Sequence, residues 1–174
     1  MAANAAFLDL TPLPHKRQLE GGSEDDIAFH YGTSLVTYSP PFGWAATGDE
    51  RHAVFRPDAN QAEAQIEVRR LPDTTAFDPV SVKALKTELE QSLPREVQKV
   101  EWADDEASPV LMNRHPTYRI TVSYSAFGQR YKTTLVVCNF QREQVRFKLT
   151  TREADFDSLY EPFRRSLFTF VGLD

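Results

Sequence analysis

Residues 135–140 constrain this chain more than any other stretch. Side chains on an extended strand alternate between its faces, so Leu135 and Val137 point one way while Val136, Cys138 and Phe140 point the other. Both sets are apolar, and a strand that is apolar on both faces has to be covered on both. The flanking sequence supplies its neighbours. Tyr118, Ile120, Val122 and Tyr124 alternate with Arg119, Thr121 and Ser123, and a turn centred on Phe127-Gly128 pairs Tyr124 with Tyr131 and Ile120 with Leu135. Val145, Phe147 and Leu149 form a further strand. The stretch 117–151 is therefore expected to be an antiparallel meander inside an α+β domain, a three-layer α/β/α sandwich around a mainly antiparallel sheet.

Helices flank the meander. Asp78 stands as an N-cap before Pro79, where the missing N–H costs nothing, and Val82, Leu85, Leu89 and Leu93 follow at helical spacing until Pro94. Phe156, Leu159, Tyr160 and Phe163 return to that spacing, with Pro162 expected to kink the last helix or mark a restart. Earlier in the chain, Leu35, Val36 and Tyr38 lie in a β-prone run that Pro40-Pro41-Phe42-Gly43-Trp44 ends. His52 to Arg56 reads as a short strand, and Ala64, Ile66 and Val68 mark the inner face of a longer one. Residues 1–26 mix prolines, Gly21-Gly22 and charge without periodicity. They are expected to form a flexible N-terminal arm ahead of a single domain at 27–174.

Composition narrows the partners. The 174 residues include 25 acidic and 20 basic ones, a net charge of -5, which disfavours nucleic acid and anionic lipid. The single cysteine, Cys138, excludes an intrachain disulfide and any multi-cysteine metal site. No apolar run approaches the roughly 18 residues that span a bilayer, so no transmembrane segment is expected. Ala3-Asn4-Ala5 has the small-x-small form that signal peptidase accepts. An exported or periplasmic location is expected if a signal peptide was trimmed before it, and a cytoplasmic one otherwise.

The residues Tyr38-Ser39-Pro40-Pro41-Phe42-Gly43-Trp44, the helix at 79–93, the meander at 117–151 and the closing helix running into Arg165-Ser166-Leu167-Phe168 together resemble the PsbP-like family of PsbP and DcrB-type accessory proteins. Pro41-Phe42-Gly43-Trp44 carries one residue more than that family's proline-glycine-tryptophan form. The resemblance implies an α/β/α sandwich around an antiparallel sheet, and accessory or binding roles without a shared active site.

Direct readings of chemistry-bearing residues agree with that implication. His15, His30, His52 and His115 fall at no metal-binding spacing, and no nucleophile elbow, phosphate loop or dinucleotide fingerprint occurs. No catalytic residue, metal or cofactor is assigned. Glu101, Asp104, Asp105 and Glu106 read as a solvated acidic loop, and Cys138 as a small buried hydrophobe. Trp44 fits either a plug at the end of the core or an anchor for a partner.

One partner site depends on strand register at 141–144. In one register Arg146 and Lys148 join Arg119 and Lys132 in a basic strip, suited to an acidic protein segment or anionic ligand. A shift of one residue moves Arg146 and Lys148 to the other face. Three functions stay open: a non-catalytic accessory protein acting through a protein–protein surface, a small-ligand carrier with a pocket between sheet and helix, and an enzyme with a dispersed site.

Overall fold

The computed structural model describes residues 7–59, 61–71, 76–140 and 143–173. Its centre is the expected meander. Strands β9 (His115–Ala126), β10 (Gln129–Phe140) and β11 (Glu143–Arg152) run antiparallel, with Tyr131 opposite Tyr124, Leu135 opposite Ile120 and Val136 opposite Phe147. Phe127 and Gly128 both take positive φ, 51° and 74°, which gives the two-residue turn the twist that its strands require.

The sheet extends on both sides. Strand β6 (Glu63–Arg70) pairs with β11, β5 (His52–Pro57) with β6, and β4 (Trp44–Gly48) with β5; beyond β9 lie β7 (Gln98–Trp102) and β8 (Glu106–Met112). Among the described residues this makes an eight-stranded antiparallel sheet. A separate three-stranded sheet, β1 (Leu8–Leu19), β2 (Gly22–Tyr31) and β3 (Ser34–Tyr38), stacks on it.

The doubly apolar strand is buried on both sides, as its pattern requires. Leu135 and Val137 pack with Ile120, Val122 and Tyr124 under Leu85 and Leu89 of helix α1 (Pro79–Gln91). Asp78 caps that helix through Oδ1, which accepts from Ser81 N–H at 2.7 Å. On the opposite face Val136, Cys138 and Phe140 join Val145, Phe147 and Ile66 in a larger core. Leu8, Leu10, Phe29, Val36 and Tyr38 of the small sheet close that core, together with Phe163 and Leu167 of helix α2 (Phe156–Leu167). Helix α2 runs without a break through Pro162. The architecture is thus mainly antiparallel sheet with two helices. Instead of the purely helical layer of the expected α/β/α sandwich, the larger core is covered by the three-stranded sheet and α2 side by side.

The flexible-arm expectation for residues 1–26 needs correction over its described part. Leu8 and Leu10 are fully buried, and the β1–β2 hairpin turns at Glu20-Gly21. The prolines that disguise β1, Pro12 and Pro14, are tolerated because β1 is an edge strand with no neighbour awaiting their missing N–H. Ala3-Asn4-Ala5 lies outside the described residues.

Candidate functional site

Register decides the basic strip, and it splits it. Because Phe147 lies opposite Val136, and Arg146 opposite Val137, Arg146 and Lys148 face α1 while Arg119 and Lys132 face α2. Each half is also engaged within the molecule. The Arg119 guanidinium stacks 5.3 Å from the Tyr160 ring centroid and pairs with Glu106 at 2.6 Å, while Lys132 sits 4.4 Å above the Phe156 ring. Buried Arg146 donates from Nη1 to Glu88 at 2.6 Å and from Nε to Gln144 Oε1 at 2.6 Å. The four cations expected to form one strip therefore lie on two faces of the sheet.

Lys148 differs from the other three. It is half-buried on the floor of a groove of about 550 Å³ between the C-terminal end of α1 and the part of the sheet that α1 leaves uncovered. Burial lowers its ammonium pKa, against the field of Glu63 and Glu67. Every carboxylate around it already holds an arginine. Glu63 pairs with Arg56, Glu67 with Arg69, and Glu88 with both Arg69 and Arg146. Beside Lys148 runs a row of hydroxyls across three strands: Tyr124 Oη lies 3.4 Å from Thr133 Oγ1, which lies 3.0 Å from Thr150 Oγ1. The threonines of β10 and β11 were the sequence signal for this row, since polar side chains on covered strands need partners.

A second surface lies on the other side of the molecule, where the chain's last residues seal β3. Thr37 and Val171 exchange backbone hydrogen bonds of 2.9 and 3.0 Å, and Ser39 N–H donates to Thr169 Oγ1 at 2.8 Å. Gly172 follows at φ 107°, where a Cβ would stand 2.6 Å from Leu35 O, so only glycine fits. Along this seam Leu35, Val171 and Phe168 remain 44%, 44% and 52% exposed.

The other singled-out residues lie elsewhere in the sheet. Trp44 opens β4 half-buried against the larger core. His115 opens β9 with its ring 4.9 Å from that of Phe140, and His52 lies 3.6 Å from Asp49. Cys138 is buried and its thiol is pushed up to about 12 by burial, which leaves it protonated and unreactive at neutral pH. Of the expected solvated acidic loop, Asp104 and Asp105 lie in the connection between β7 and β8, with Asp104 exposed and Asp105 paired with Lys86, while the exposed Glu101 of β7 pairs with Arg130 and Glu106 of β8 with Arg119. Among the described residues no cluster of three or more potential metal ligands occurs, and no helix is long and apolar enough to cross a membrane.

The fold defines a class. No family model and no curated protein sequence matches the chain. Solved structures do. Cyanobacterial PsbP from Synechocystis aligns at TM-score 0.54 and 16% identity over 78% of this chain and 85% of that one. PA94 from Pseudomonas aeruginosa, a protein of unknown function, aligns at 0.51 and 14% over 92% of this chain and 98% of its own. LpqN from Mycobacterium tuberculosis, involved in cell envelope biogenesis, aligns at 0.50 and 12% over 76% and 79%. The chain has a PsbP-like fold.

Proposed function

We propose that the protein is a non-catalytic accessory protein that binds a protein partner through the seam between β3 and the C-terminal segment. The observation that carries this reading is the exposure of Leu35, Phe168 and Val171 along the seam that closes β3. Exposed apolar side chains gathered on one seam are what a partner would cover, whereas singly scattered ones need no explanation. Support for accessory work also comes from the fold, which this chain shares with cyanobacterial PsbP. A photo-reactive amino acid placed at Leu35 or Phe168 in the native host should yield one discrete crosslinked protein. The same probe at Val80, which is exposed on α1, should not. Equal labelling from both faces, or none from the seam, would end this reading.

A further inference from the structure

We propose that the groove beside the C-terminal end of α1 binds a small organic monocarboxylate that also carries hydroxyl groups, a hydroxy acid or sugar acid, with the Lys148 ammonium as its counter-ion. This site lies on the α1 face, away from the β3 seam, and does not depend on the accessory reading.

The charge balance around the groove selects the anion. Arg56, Arg69, Arg146 and Lys148 stand among Glu63, Glu67 and Glu88, four cations to three carboxylates. All three carboxylates are held by arginines, so the surplus positive charge resides on Lys148, which makes no ion pair among the described residues. In a protein of net charge -5, a half-buried ammonium left over at the bottom of a groove is a local attraction for one negative charge. Glu63 and Glu67, close enough to act on Lys148, would repel a doubly charged phosphate more strongly than a carboxylate.

The remaining lining selects the rest of the ligand. Register places Lys148 between Gln65 and Leu135 in one cross-strand row, and Thr150 between Glu63 and Thr133 in the next. A carboxylate on Lys148 would therefore bring the remainder of its molecule over Thr150, the partly exposed hydroxyl of the row, with the buried Thr133 and Tyr124 hydroxyls bonded behind it. The Thr150 rotor can donate or accept, as a sugar or hydroxy-acid hydroxyl requires. Leu93 and Pro94 form an apolar wall for the ligand's carbon skeleton. The volume, about 550 Å³, is that of a small-molecule site rather than a macromolecular interface.

The test is an amide-resolved NMR titration of the full chain with sodium glucuronate, alongside glucose, inorganic phosphate and a capped diglutamate peptide. Glucuronate should give saturable shifts centred on Lys148, Thr150 and Thr133, with a Kd on the order of 1 mM or tighter. Glucose should not. Lys148→Met should weaken binding about tenfold or more, the loss expected when a charge-assisted hydrogen bond is removed, and Lys83→Met on the exposed side of α1 should leave it unchanged. If Lys148→Met does not fold, the location of the shifts in the unaltered protein still decides. The proposal is overturned if glucuronate gives no saturable shifts there, if Lys148→Met binds equally well, or if phosphate or the peptide binds more tightly.

Discussion

The Tyr38 hydroxyl lies 2.8 Å from Ser166 Oγ, joining the end of β3 to the last turn of α2 through the larger core. Ser166 uses its own proton on Phe163 O at 2.7 Å, so the phenol is the donor. Around it the Phe55, Phe147 and Phe170 rings pack with centroids 5.3, 6.1 and 6.4 Å away. Tyr38→Phe should lower unfolding free energy by about 1 kcal/mol. Tyr38→Ala should cost about 3–5 kcal/mol, because it opens a cavity among those rings. Chemical denaturation reads both, and equal losses would mean that packing contributes nothing beyond the hydrogen bond.

The N-terminal hairpin is expected to be structural rather than an appendage. Leu10→Ala should destabilise by about 2–5 kcal/mol, and removal of residues 1–19 by more, since Leu8 and Leu10 are both fully buried against the central sheet. Thermal melts that matched the unaltered protein would show β1 to be dispensable.

The two-sided burial of β10 gives a paired prediction. Leu135→Ala should cost about 2–5 kcal/mol and Val136→Ala somewhat less, because the first opens the α1 core and the second the core beneath the small sheet. A silent Val136→Ala would contradict separate cores.

Glu143 predicts a pH dependence. Burial raises its carboxyl pKa, although Leu8 N–H, 3.2 Å from Oε1, and the Arg70 charge favour the ionised form; Oε2 has no hydrogen-bond partner among the described residues. An acid whose pKa is higher folded than unfolded binds its proton more tightly when folded. Stability therefore falls as pH rises from the unfolded-state value through the folded one, and the cost is complete above it. Glu143→Gln, which keeps an acceptor for Leu8, should raise the melting temperature at pH 7 and change it little below the ordinary glutamate pKa of about 4.3. The same gain at both pH values would exclude ionisation as its cause.

Cys138 should resist iodoacetamide in the folded protein at pH 8 and react once denatured, because burial holds its thiol at about 12. Rapid alkylation of the native protein would show that the strand opens.

How much of this was legible in the sequence follows from how local each determinant is. Helix α1 was readable because Asp78 and Pro79 mark its start within two residues, and β9 to β11 because two alternating strands flank one that is apolar on both faces. Strands β7 and β8 were hidden: Lys99 and Ser108 take φ of 52° and 54°, inside register shifts at Gln98/Glu101 and Ala107/Leu111 that break the two-residue period. Strand β1 was hidden by its prolines and by a register shift between Asp9 and Leu13, which breaks the alternation that Leu8 and Leu10 begin. The groove turned on one residue of register. Lys148 was singled out with Arg119 and Lys132, but a strand offset by one position sends it to the opposite face, and the order of residues at 141–144 leaves both offsets open. Residues 141–142 of that connection fall outside those described.

The shared core of the two ends bears on how the protein is made. Leu8 and Leu10 pack in the same cluster as Phe163, Phe170 and Leu173, so β1 has no complete docking partner until the segment carrying residue 173 follows it from the ribosome. Throughout synthesis the β1–β2 hairpin is therefore a set of apolar side chains and unpaired strand edges waiting on distant sequence, a state in which nascent chains are prone to mispairing and depend on chaperones.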